Sequence, residues 1–200
     1  NDLEKPWQEA FFMAWEAYKN GTIPIGCVIV SQSGEIISRG RNEIYDLSSN
    51  RPLAGTNMAH AEMNALLGLK RESYEQHIRS YSLYTTMEPC PMCFGTMVMM
   101  NIRNIYFGAL DNFAGATLLN DKMEYIKSKK INIRKGNEEI EAFQLILQTT
   151  FEYHRNHPRI EEILDKWRVV NNIAIECGQV LYKNGFFPQA ISQNKEINEI

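Results

Sequence analysis

The chain has 200 residues, 44% of them hydrophobic, with 21 Lys/Arg against 24 Asp/Glu and a formal net charge of −3. That length fits one domain, or one domain with an appendage, and the apolar content suffices for a single core. No apolar run approaches a membrane span, no signal-peptide pattern opens the chain, and four cysteines do not suggest a disulfide framework, so a cytoplasmic protein is expected. The mild acidity gives no global reason to expect nucleic-acid binding. Residues 1–136 carry 15 Lys/Arg and 14 Asp/Glu, whereas residues 137–200 carry 6 and 10.

Phe11, Met13, Ala14, Trp15, Ala17 and Tyr18 predict an amphipathic first helix ending near Asn20-Gly21. Ile25–Val30 is a β-branched run, Ser33-Gly34 turns the chain, and Glu35–Arg39 returns as the second strand of a hairpin. Residues 41–58 are a loop broken by Ser48-Ser49-Asn50-Arg51-Pro52 and Gly55-Thr56-Asn57. A helix follows from Ala61 to about Lys70, then a strand over Tyr81–Thr86 that runs into a helix opening at Cys90 and ending near Asn101. Ile105–Phe107 and Ile131–Ile133 are strands, and Ile140–Phe151 is a helix. Strands separated by helices, opened by a hairpin, predict an α/β sandwich with a mixed sheet.

Pro158 breaks the chain. Beyond it, Ile160, Ile163, Leu164 and Trp167, then Ile173, Ala174, Cys177 and Leu181, predict two amphipathic helices. The expected organisation is a domain over residues 1–157 and a helical extension over 158–200 that packs on the core or on a partner subunit.

The chemistry concentrates in His60-Ala61-Glu62 and Pro89-Cys90-Pro91-Met92-Cys93. Cysteines three apart at a helix start share a face and can grip one ion, and Pro91 suits the first turn, where its missing N–H has no partner. The positive helix end favours thiolates. With His60 as third ligand, Cys90 and Cys93 form a set suited to catalytic Zn2+, whose fourth position stays open for water. Two thiolates and a neutral imidazole leave the centre formally neutral. Glu62, two residues beyond His60, lies on another face of its helix and serves as general acid–base rather than ligand.

A lone C-x-x-C also fits a redox pair or half of a structural zinc site. There is no second C-x-x-C, and Cys27 and Cys177 are isolated. A redox pair leaves His60-Ala61-Glu62 without a purpose, and a structural site does not require Glu62. Met97, Met99 and Met100 suit either the core or a subunit contact. Cys27 reads as a small core residue, and His77, His154 and His157 as surface residues.

The chain resembles the cytidine deaminase-like superfamily of zinc deaminases, whose signature is H-x-E followed by P-C-x-x-C. The resemblance is closest to the branch of tRNA adenosine deaminase, guanine deaminase and cytosine deaminase. It rests on Ile23-Pro24-Ile25-Gly26-Cys27-Val28-Ile29-Val30, Gly40-Arg41-Asn42, His60-Ala61-Glu62 and Tyr84-Thr85-Thr86-Met87-Glu88-Pro89-Cys90-Pro91-Met92-Cys93, and more loosely on Phe107-Gly108-Ala109-Leu110-Asp111. It implies a three-layer α/β/α sandwich with a five-stranded sheet, one zinc per subunit and a homodimer. It also implies substrate contacts from Asn42, the backbone of Ala61, Glu88 and Asp111, although Asn42 also suits a turn, Glu88 a supporting hydrogen bond and Asp111 a cap. The expected reaction is hydrolytic deamination of an amine-bearing nucleobase or nucleoside, purine or pyrimidine. A wobble adenosine of tRNA is the second reading, disfavoured by the acidic ending, since phosphate contacts carry most nucleic-acid affinity. A zinc-bearing binding module without turnover is the third.

Overall fold

The computed structural model describes residues 3–72 and 77–200. Helix α1 spans Lys5–Lys19, followed by β1 (Gly26–Val30), β2 (Ile36–Arg41), α2 (Ala61–Leu67), β3 (Ser82–Met87), α3 (Pro91–Met99), β4 (Asn104–Ala109), the short α4 (Glu124–Lys127), β5 (Asn132–Lys135), α5 (Glu138–His154), α6 (Ile160–Lys183) and α7 (Phe186–Ser192). The strands form one sheet in the order β2-β1-β3-β4-β5. β1 pairs antiparallel with β2 and β3, while β3–β4 and β4–β5 are parallel. The expected mixed five-stranded sheet is therefore present.

Strand alternation sorts side chains between the two faces. Cys27, Ile29, Leu83 and Ile105 pack with Ala61, Ala65, Phe94 and Met97 of α2 and α3. On the other face Val28 meets Ala10 of α1, and Tyr84 and Tyr106 stack 4.4 Å apart beneath α1 and α5. Helix α2 lies close on β2 because residue 40 is glycine: a Cβ there would stand 2.1 Å from the Ala61 carbonyl oxygen and 2.4 Å from Ala65 N. The ends of β3 and β4, the start of β1 and the end of β2 share one edge of the sheet. The segments carrying His60 and Cys90 open their helices there, the usual place for a site in an open α/β sheet.

The extension folds onto this frame. Ile163, Leu164, Trp167, Ala174 and Ile175 of α6 share a core with Met87, Ala109 and Leu145, and Phe187 of α7 packs on Trp15 and Tyr18 of α1. The two helices expected after Pro158 are the halves of α6, which is broken in phase at Asn171 (φ −154°, ψ 90°). The Asn171 side chain caps the second half by accepting from Ala174 N at 3.0 Å. This reset corrects the expected stripe: Ile173 is 79% exposed and Cys177 exposed, while Ala174, Ile175 and Gly178 face inward. Helix α2 stops at Leu67 with Gly68 as its C-cap, short of the expected Lys70, in keeping with glycine's poor helix propensity. Met97 is core, whereas Met99 is 64% exposed. Cys27 is fully buried, as expected of a core residue.

The loop after β2 is built on buried charge. Glu43 accepts from Ser49 Oγ at 3.1 Å and Asn64 Nδ2 at 3.1 Å, and Arg41 lies 3.3 Å from Glu43 and pairs with Asp46. The Ser48 hydroxyl, with help from Arg41, holds the Asp46 carboxyl down at about 2. An unfolded aspartate titrates near 4, roughly, so the stabilisation from Asp46 is complete above that pH and is lost as pH falls toward 2. Chemical denaturation between these pH values will show stability declining in the wild type and a flatter profile in Asp46→Asn. Gly178 lets α6 approach α5, since a Cβ there would lie 2.8 Å from Thr149 Cβ. Gly178→Val is expected to destabilise the fold by about 1–3 kcal/mol in urea unfolding, the range for overpacking a core.

Candidate metal and catalytic site

His60 and Cys90 are the N-cap residues of α2 and α3, both with extended backbone (φ −70°, ψ 153° and φ −70°, ψ 171°). An N-cap side chain stands at the mouth of its helix, and Cys93 lies one turn further on. The ligating atoms of His60, Cys90 and Cys93 all fall within 4.8 Å of one another, and Cys90 Sγ is 3.7 Å from His60 Nδ1. Ligands of a tetrahedral zinc, with bonds of roughly 2.0–2.3 Å, stand about 3.3–3.8 Å apart, so donor set and spacing fit that ion. A hydrogen bond from Cys93, with His60 beside it, holds the Cys90 thiol down at about 4, the thiolate form a metal requires. The same bond and burial push Cys93 up. Burial opposes charge on His60, but Cys90 and Glu62 outweigh it and raise its basicity.

Glu62 is 3% exposed and stands beside this triad. Thr85 Oγ1 of β3 donates to its Oε1 at 3.1 Å, and Cys93 Sγ lies 3.4 Å from its Oε2. Burial raises its carboxyl above the usual range, partly offset by His60. The geometry thus brings together His60, Glu62, Cys90 and Cys93, and adds Thr85. A threonine on a buried strand position reads as ordinary β-propensity, so pattern alone gives Thr85 no functional signal.

The other four candidates line the same edge. Asn42 is 1% exposed, and its Oδ1 accepts from Thr22 Oγ1 at 2.8 Å and Ile44 N at 3.0 Å. Ala61 is fully buried at the start of α2. Glu88 spends both carboxylate oxygens inside the protein: Oε2 accepts from Asp111 N at 3.0 Å, and Oε1 from Thr117 N at 3.0 Å and from the Thr117 hydroxyl. Asp111 Oδ1 accepts from Phe113 N, Ala114 N and Trp167 Nε1, the last at 2.9 Å, while burial raises the carboxyl. A cleft of about 680 Å3 is lined by Glu88, Asp111, Thr117, Asn120 and Ile131 among others, but not by His60 or Glu62. The three metal donors lie outside the lining of that cleft. His77 and His154 are exposed and, with His157, lie outside the metal cluster.

The model of the cytidine and deoxycytidylate deaminase zinc-binding region matches residues 1–109, and the chain belongs to that family. It is 30% identical over 167 residues to the tRNA-specific adenosine deaminase of Haemophilus influenzae, an alignment covering 82% of this chain and 91% of that protein. It is 34% identical over 105 residues to the enzyme of the same name from Aquifex aeolicus, where it spans 52% of this chain and only 64% of the relative. Its fold matches a solved structure from work on A-to-I editing by tRNA:A34 deaminases with a TM-score of 0.56 at 25% identity, covering 66% of this chain and 96% of that one.

Zinc is the metal this family and this donor set imply. His60→Ala, Cys90→Ser and Cys93→Ser are each expected to lower bound zinc well below the roughly one ion per chain of the wild type. Elemental analysis after dialysis checks this, with circular dichroism confirming that the helices persist.

Proposed function

We propose that this chain hydrolytically deaminates an amine-bearing nucleobase, free or as a nucleoside, with residues 1–157 as the catalytic domain and 158–200 as an extension folded against it. The observation that carries the reading is the buried Glu62 carboxyl, 3.4 Å from Cys93 Sγ beside the three metal donors and not itself one of them. His60, Cys90 and Cys93 would hold zinc, which would supply the Lewis acidity that lowers the pKa of water toward neutral pH. Glu62 takes a proton from water, the oxygen adds to the amine-bearing ring carbon, and Glu62 returns the proton to the ring nitrogen. A second transfer through Glu62 moves the remaining proton of the added hydroxyl to the amine. The C–N bond then breaks, ammonia leaves, and a carbonyl replaces the amine. A carboxyl raised by burial suits a group that must both accept and deliver a proton.

Asn42 contributes as a donor through Nδ2, because two hydrogen bonds already engage its Oδ1. Glu88 braces the 110–117 segment rather than touching substrate, and Asp111 and the Ala61 backbone shape the pocket. The small-substrate reading is supported by the arginines at the end of α5 and over the first half of α6, which are ion-paired: Arg155 with Glu152 at 3.3 Å, Arg159 with Glu162 at 2.6 Å and Arg168 with Asp165 at 2.5 Å. Such pairs leave less positive field for phosphates. The second reading, deamination of a tRNA adenosine, is favoured by the names of the relatives at 30–34% identity.

A cytoplasmic protein is part of the proposal; no described helix is long and apolar enough to cross a membrane. So is a homodimer that uses the exposed Met99, against which the Tyr125 hydroxyl rests at 3.7 Å. Sedimentation of Met99→Glu against the wild type tests the dimer, a shift toward monomer being expected.

Ammonia release from adenine, guanine, cytosine, their nucleosides and an anticodon stem-loop tests the reaction. Release from a free base or nucleoside supports the first reading. Release from the stem-loop alone, weakening steeply with salt, supports the second. Glu62→Ala is expected to lower turnover by roughly 10²–10⁴-fold or more while zinc stays bound. Near-normal turnover in that variant would sink the mechanism.

A further inference from the structure

Three successive residues at the sheet edge are gripped by the first half of α6. Trp167 Nε1 donates to Asp111 Oδ1 at 2.9 Å, Asn112 Nδ2 reaches the Lys166 carbonyl at 3.5 Å, and the Arg159 guanidinium lies over the Phe113 ring at 5.1 Å. The gripped segment is stitched in turn to the metal-ligand strand end. Asp111 N and Thr117 N donate to Glu88, and Ala116 N donates to the Pro89 carbonyl at 3.0 Å, one residue before Cys90. Trp167 is 4% exposed, so its indole N–H, buried in an apolar cluster, has its partner in Asp111. All three donors to the Asp111 side chain converge on Oδ1. That convergence fixes the rotation of the carboxyl and turns Oδ2 away from the donors.

We propose that Trp167 of the C-terminal extension is a positioning residue for the deamination, holding through Asp111 the segment that is hydrogen-bonded to Glu88 and to Pro89, next to the donor Cys90. This rests on the deaminase reading above and adds to it that the extension is part of the active site's construction. A segment pinned on one side to α6 and on the other to the residues just before Cys90 is pre-oriented, and pre-orientation of groups around a reacting centre is worth large factors in rate. Trp167 touches no reacting atom in this account. Its effect passes through Asp111 alone, which makes it separable by experiment.

The test is a double-mutant cycle on the zinc-loaded full chain, read as kcat and KM for the substrate found with the panel above. Trp167→Phe keeps an aromatic ring, smaller than the indole, and deletes the N–H; Trp167→His retains a ring N–H. The expected result is a loss in kcat/KM of roughly tenfold in Trp167→Phe, partial recovery in Trp167→His, and less than about a twofold further loss when Trp167→Phe is added to Asp111→Asn. Zinc content and the unfolding midpoint of each variant are measured alongside. Activity of Trp167→Phe equal to the wild type, or an equal loss with and without Asp111→Asn, overturns the inference while leaving the deaminase reading intact. If Trp167→Phe does not fold, the same comparison is made with 3-benzothienylalanine at position 167, which keeps the bicyclic ring and lacks the N–H. No ammonia release from the wild type on the whole panel overturns the deaminase reading and, with it, this assignment.

Discussion

A carboxylate withdrawn from water persists only if something answers its charge or its lone pairs. Glu62 is such a group, and what answers it organises the molecule: Thr85 from the central strand β3, Cys93 from the first turn of α3, and the charge of His60 two residues away. For all three to arrive at one point, α2 must lie close on β2, β1 must pair between β2 and β3, and α3 must start directly where β3 ends. The fold can be described as the arrangement that satisfies this one side chain.

Around that centre, buried polarity is distributed along the same sheet edge. Asn42 and Thr22 bond each other below it, the ion pairs of Arg41 with Glu43 and Asp46 shape the following loop, and Glu88 ties the 110–117 segment down. On α5 a file of buried amides and acids runs from Gln144, which donates to the Pro24 carbonyl, through Gln148 to Glu152. Replacing one member leaves its neighbours unsatisfied, the most expensive kind of change in a protein interior.

Much of this was legible in the sequence because it is written in local pattern. The apolar pattern of residues 11–18 points to α1, the β-branched run at 25–30 to β1, and the metal donors sit at fixed offsets inside two short motifs. What stayed hidden depends on contacts between distant segments. Glu43 and Asp46 look like ordinary loop acids until Arg41 and Asn64 are placed beside them. The inward face of the second half of α6 escaped because periodicity assumes unbroken phase, and Asn171 breaks it. Trp167 looked like a core anchor, which it is, but its hydrogen bond to Asp111 spans 56 residues and no spacing rule encodes it.

The placement of the metal donors also fixes an order of assembly. His60 and Cys90 are 30 residues apart and belong to different helices. A nascent chain that has emerged as far as α2 holds a single donor, and the set closes only when β3 has paired with β1 and α3 has formed behind it. Residues 158–200 follow all three donors in the chain, so the donor set is complete in sequence before the helix that holds the Asp111 segment has been synthesised.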